Sequence, residues 1–194
     1  MSLLRAFIAV ELPSSIQNAI QEQTTPLRRM LDSSLVRWTP AHNIHLTLKF
    51  LGDVSAANLE LLCEMLTREA GQHSPFDMRI ADLGSFPSSR RPRVIWVGLH
   101  APAVLESLQR GVESAAARLG YAPEDRPFSP HLTVGRVRQN LSTKDSQKIR
   151  TALESTKLGE LGITRVDCAY LFKSDLHPSG SVYTRLFSAP LKKI

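Results

Sequence analysis

Apolar and polar residues alternate with period two in some stretches of the chain and with helical period in others, and the switches between the two predict a mixed set of elements. Strands are expected at 3–12, 44–51, near 76–83 and 93–99, at 131–138, and near 161–173 and 181–189. Helices are expected at 13–31, opened by Pro13-Ser14-Ser15 and perturbed at Pro26, and at 55–70, capped by Ser55. Two more are expected over about 103–119, ended by Gly120, and at about 142–157, capped by Ser142 or Thr143. Strands and helices mix without strict alternation, which predicts an α+β fold rather than a wound parallel sheet. No low-complexity tract or long linker divides the chain, so residues 1–194 read as one domain, or as two small fused lobes.

Two of the predicted strands open alike. His45-Leu46-Thr47-Leu48 recurs 86 residues later as His131-Leu132-Thr133-Val134. With this chain's His and Thr content, His-x-Thr is expected about 0.34 times by chance, and about 0.06 times with apolar neighbours. Each copy follows a proline-containing approach, Pro40-Ala41-His42-Asn43 or Ser129-Pro130, and each precedes a glycine, Gly52 or Gly135. The likeness reads as an internal duplication.

In a strand, alternate side chains share a face. His45 and Thr47 therefore point one way and Leu46 and Leu48 the other, and the second copy repeats this. Two such strands facing each other would present two imidazoles and two hydroxyls to one groove. One neutral imidazole can accept a proton while the other, charged, donates one, which suits in-line displacement at phosphorus. Hydroxyls and a cation would hold the non-bridging oxygens. Arg136 is the candidate cation, although strict alternation puts it on the wrong face unless a bulge or strand end near Gly135 swings it round. Lys49 is expected to share the face of His45 and Thr47. A lone histidine of this kind is most often a hydrogen-bonded core residue; the repeated unit is what argues for chemistry.

The stretches Val36-Arg37-Trp38-Thr39-Pro40, His45 to Val54 (HLTLKFLGDV) and Phe128-Ser129-Pro130-His131-Leu132-Thr133-Val134-Gly135-Arg136 resemble the two-histidine (2H) phosphoesterases. Within that superfamily the chain is similar to the RNA 2′,3′-cyclic phosphodiesterases, historically called 2′-5′ RNA ligases. Residues 5–12 resemble that group's opening strand, and 171–176 with 182–184 its closing hairpin, so the likeness covers essentially the whole chain. The resemblance implies a bilobal, pseudo-twofold fold in which two antiparallel β-sheets form a central groove with helices packed outside. It implies His45 as proton donor to the leaving 3′ oxygen, His131 as proton acceptor activating water, and Thr47, Thr133 and Arg136 as phosphate-holding groups. The implied reaction opens an RNA-terminal 2′,3′-cyclic phosphate to a 2′-phosphomonoester, with a weak reverse ligation through a 2′-5′ linkage. The implied partner is RNA carrying such ends, tRNA fragments among the candidates, and the chain is expected to act as a monomer. No metal or other cofactor is implied, and neither motif has an Asp, Glu or Cys neighbour at ligand spacing.

Composition narrows the picture further. A net charge of +6 and a pI near 9.7 favour polyanionic partners. The densest basic run, Arg90-Arg91-Pro92-Arg93, sits in a Ser/Pro-rich loop and is open to RNA contact or to a merely solvated turn. The short apolar run between Arg5 and Glu11 is no signal peptide, and no stretch approaches a membrane span, so the cytoplasm is the expected compartment. Cys63 and Cys168 read as reduced core thiols. His42 is read as shaping its loop, and Phe7, Trp38 and Trp96 as core residues rather than base-stacking platforms. Two other readings stay open: an RNA-binding module without turnover, and a phosphodiesterase for a cyclic-phosphate metabolite or a 2′-5′ oligonucleotide.

Overall fold

The computed structural model describes residues 3–178 and 180–192. The chain runs β1 (Leu3–Glu11), α1 (Ser14–Met30), β2 (Val36–Trp38), β3 (His45–Ser55), α2 (Leu59–Ala70), β4 (Phe76–Phe86), β5 (Val94–His100) and α3 (Val104–Arg118). It continues through β6 (Leu132–Val137), α4 (Thr143–Ser155), β7 (Gly162–Val166), β8 (Cys168–His177) and β9 (Gly180–Pro190). Every recorded strand pairing is antiparallel.

The strands assemble in the order β7-β4-β5-β6-β3-β1-β8-β9, with β2 paired to β6 beside that path. One lobe is built from β3, β1, β8 and β9, and the other from β7, β4, β5 and β6. The two sheets expected from sequence are joined, through the single registered pair Leu46↔Leu132, into one curled sheet. That junction sets the two His-x-Thr strands side by side.

Apolar side chains on the convex face form one continuous core. Ile8, Leu46, Val97, Leu132 and Leu171 of the strands are 0–1% exposed, as are Ile20, Leu62, Leu108 and Ile149 of the helices. Burial of such a face is the main force holding helices to sheet. Ile16 of α1 lies against Gly162 at the start of β7, where φ is +134° and a Cβ would approach Ile16 Cδ1 to 2.9 Å. Pro26 is carried inside α1. Nearby, the Thr24 and Thr25 hydroxyls donate to the carbonyls of Ile20 and Gln21 one turn earlier, and the helix continues to Met30. Ser142 caps α4 by accepting the Asp145 N–H at 3.1 Å.

Two elements differ from the sequence reading. The single strand expected over 161–173 is two strands, because the chain changes lobes at Asp167: β7 pairs with β4, and β8 pairs with β1. β2 is an addition to that reading, since three residues carry too little periodicity to register. Cys63 and Cys168 are free and half-buried, and no described helix is long and apolar enough to cross a membrane.

Candidate active site

The concave face opposite the core holds a second, small apolar cluster of Phe7, Ala9 and Phe172, with Tyr170 and Tyr183 packed on it. His45 lies on this floor. Its ring stacks on Phe7 with centroids 4.8 Å apart, and Tyr183 meets it edge-on at 5.2 Å. His131 has a corresponding support in Phe86, which meets it edge-on at 4.9 Å and leans on Trp96. Trp96 in turn lies over Gly84, where any Cβ would sit 2.2 Å from the indole. Phe7 and Trp96 are thus supports beneath the histidines rather than members of the main core.

Both imidazoles are oriented in the same way. His45 Nδ1 is 2.8 Å from the Asn43 carbonyl oxygen, and His131 Nδ1 is 2.8 Å from that of Ser129. A carbonyl only accepts, so each Nδ1 carries the hydrogen, and in the neutral ring Nε2 is left as the free base. Each motif fixes the tautomer from its own backbone two residues upstream. The prolines of the approach segments shape that backbone, and Asn43 is further held by its side-chain amide donating to the Ser181 carbonyl at 2.8 Å.

Both motif strands bulge at the same offset. In β3, Thr47 and Lys49 pair with Ala9 and Ile8, leaving Leu48 as an extra residue. In β6, Thr133 and Gly135 pair with Trp96 and Ile95, leaving Val134 extra. A bulge reverses the alternation that follows it. Arg136 is therefore swung onto the face of His131 and Thr133 and lines the pocket. The same geometry corrects the expectation for Lys49. The Leu48 bulge turns Lys49 away, to 1% exposure, where its Nζ donates to Glu113 Oε1 and to the Ala122 carbonyl, each at 2.6 Å. Phe50 takes the place in the pocket that Lys49 was expected to occupy. Gly135 is required by the close approach of β2, because a Cβ there would meet Val36 Cγ1 at 2.8 Å and the Trp38 ring at 2.9 Å.

His45, Thr47, His131, Thr133 and Arg136 all line one pocket, with Phe7, Thr39, Asn43, Phe50, Ser174 and Tyr183. His42 is exposed and lines an adjoining pocket with Glu11 and Gln17. Sequence reasoning missed Thr39, Asn43, Phe50, Ser174 and Tyr183 as site residues. Asn43 carried a signal, since it stands two residues before His45 as Ser129 does before His131.

The pocket lining contains no carboxylate, and among the described residues no three His, Cys, Asp or Glu side chains cluster as a metal set. Burial pushes the His45 imidazole down to about 4, with the charges of Arg136 and His131 adding and the Asn43 carbonyl opposing. Burial, then Arg136, also holds His131 below the usual histidine range. In the free pocket both rings are therefore neutral near pH 7. Two imidazoles, several hydroxyls and a guanidinium that has no counter-ion among the described residues make a receptor for an anion, whose charge would draw a proton back onto one ring.

The LigT-like phosphoesterase family model matches the chain twice in succession, over residues 10–96 and 97–183. A Methanothermobacter thermautotrophicus protein named RNA 2′,3′-cyclic phosphodiesterase is 32% identical over 181 residues, covering 93% of this chain and 95% of that protein. An Aquifex aeolicus protein of the same name is 29% identical, covering 95% of each. Among solved structures, one from Thermus thermophilus superposes with a TM-score of 0.76 at 28% identity, covering 97% of this chain and 98% of that one. E. coli LigT complexed with 3′-AMP superposes with a TM-score of 0.74 at 28% identity, covering 99% and 100%.

Proposed function

Since the chain belongs to the LigT-like phosphoesterases of the 2H superfamily, we propose that it hydrolyses the terminal 2′,3′-cyclic phosphate of RNA, tRNA fragments included, to a 2′-phosphomonoester. The observation that carries this reading is the pair of imidazoles with Nδ1 fixed by a carbonyl and Nε2 free, lining one pocket with Thr47, Thr133 and Arg136.

The cyclic phosphate is an anion held by the two threonine hydroxyls and Arg136. His131 Nε2 takes a proton from water as its oxygen bonds to phosphorus. In line with the attack, the P–O3′ bond breaks, and His45 Nε2 gives its proton to the departing 3′ oxygen. Arg136 and the hydroxyls offset the charge that builds on the non-bridging oxygens. If the 5′-hydroxyl of a second RNA replaces water, the same displacement yields a 2′-5′ linkage, a weak side reaction. The donor set supports catalysis without a metal, because a guanidinium among the lining groups, with no carboxylate, repels a dication. The two successive family matches support two fused, duplicated lobes in a single domain spanning 1–194, which we take to act as a monomer.

The donor and acceptor roles follow the family resemblance. The free pocket by itself favours a proton on His131, the less buried ring. The charge of a bound phosphate favours the proton on His45 and so fills the state in which that ring is the donor.

The test is incubation, in chelator, of the purified protein and its His131→Ala variant with a short RNA ending in a 2′,3′-cyclic phosphate, resolving 2′- from 3′-phosphate products. A 2′-phosphate formed only by the wild type is expected. No turnover with RNA still bound would mean a binding module, and turnover only of a cyclic mononucleotide would move the substrate to a metabolite.

A further inference from the structure

The pocket has two unlike walls. Phe7, Phe50 and Tyr183 form one, and Arg136 the other. Next to Arg136, on the adjacent strand, stands Arg37 of β2. The two are directly opposite in the β2–β6 ladder, so their side chains leave the same face at Cα positions about 5 Å apart. Alternation along β2 agrees. Val36 is fully buried in the core and Trp38 donates its indole N–H to the Leu31 carbonyl, whereas Thr39, two residues after Arg37, lines the pocket.

Arg37 is exposed, and no carboxylate is in ion-pair contact with it among the described residues. The same holds for Arg136 and for Arg90, Arg91 and Arg93 in the loop between β4 and β5. That loop ends where Val94 pairs with Arg136. Elsewhere on the molecule Arg79, Arg118, Arg150, Arg165 and Arg185 lie in ion pairs, while others, Arg5 over Phe50 among them, do not among the described residues. A group of uncompensated arginines thus adjoins the phosphate site on its β2 and β6 side, and a nucleic-acid backbone is what such a group attracts.

We propose that Arg37 is a second phosphate subsite: with the cyclic phosphate on Arg136, it takes the next phosphodiester on the 5′ side of the chain and so selects polynucleotides over mononucleotide cyclic phosphates. The inference rests on the phosphodiesterase reading above. It names what distinguishes an RNA end from a nucleotide metabolite carrying the same reactive group. The aromatic wall is left to the terminal nucleoside, and the backbone leaves across the arginines.

The experiment compares kcat/KM for adenosine 2′,3′-cyclic phosphate with that for the dinucleotide ApA ending in the same group, and for that dinucleotide with a neutral methylphosphonate internal linkage. The wild type is expected to prefer the charged dinucleotide about tenfold, a size fitting one charge-assisted contact at an exposed site. It should lose that preference with the neutral linkage and with rising salt. In Arg37→Gln the ratio of charged dinucleotide to mononucleotide should collapse toward one and stop responding to the methylphosphonate. An Arg37→Gln ratio equal to the wild type's, including an equal fall on both substrates, overturns the subsite. Should the wild type turn over none of the three, the phosphodiesterase reading falls and takes this inference with it.

Discussion

At the scale of single residues, the site works through what each side chain is prevented from doing. Neither imidazole can present Nδ1 to substrate, because a backbone carbonyl holds it. His45→Ala and His131→Ala are expected to abolish turnover while leaving the circular dichroism spectrum and melting transition near wild type. A 3′-bridging phosphorothiolate cyclic substrate separates their roles, since a thiolate leaves without a proton. That substrate should restore activity to His45→Ala but not to His131→Ala; the opposite pattern would exchange donor and acceptor. Thr47→Ala and Thr133→Ala should each cost on the order of 1–3 kcal/mol in kcat/KM, as one lost hydrogen bond to a charged group. The pH dependence has a definite sign. Burial holds both free imidazoles below the usual histidine range, so the alkaline limb of kcat/KM, which reports the free enzyme and follows the higher of the two ionisations, should lie acid of neutrality. The limb of kcat, measured with the anion bound, should lie at higher pH. Coincident limbs would mean that phosphate does not recruit the proton.

At the scale of elements, the strands mattered more for where their alternation breaks than for where it holds. The two His-x-Thr units, their strand character and their polar faces were legible in sequence because period two survives across each motif. The Val134 bulge was legible only as a condition that Arg136 imposed. The Leu48 bulge was not legible, since alternation through Lys49 and Phe50 reads smoothly on either face. The Asp167 break was hidden because the apolar pattern continues through it while the pairing partner changes. Gly135 offers a test of the bulge. Gly135→Ala puts a methyl into Val36 and Trp38, with an expected loss of about 1–3 kcal/mol in denaturant melts. Turnover should fall further than stability alone explains, because Arg136 moves with the strand. Unchanged kcat/KM would mean that the bulge does not aim Arg136.

At the scale of the whole molecule, the duplication was legible and the way its halves are tied together was not. Register joins the lobes at one pair, Leu46↔Leu132. A buried polar tie then holds the segment leading into the second motif: Lys49 of β3 grips Glu113 of α3 and the Ala122 carbonyl, and Glu113 accepts the Glu124 N–H at 2.9 Å. No local pattern announces such a contact, because its members lie 64 and 73 residues apart. Lys49→Ala should cost about 3 kcal/mol of folding stability, as for a buried pair robbed of one partner. A loss under about 1 kcal/mol would mean that the half-buried Glu113 is already satisfied by solvent.

The repeated bulge reaches further than the aim of one arginine. It acts as a lever copied with the motif, lifting whatever stands five residues after each histidine into the pocket: Arg136 in one half and Phe50 in the other. A scaffold with near-equivalent halves has no inherent sense of direction, yet opening a cyclic phosphate to one of two possible monoesters demands one. Loading one lever with a cation and its twin with an aromatic ring, itself covered by the Arg5 guanidinium 4.4 Å away, gives the groove a head and a tail. On the proposed reaction, the choice of monoester would follow from which cargo each half lifts.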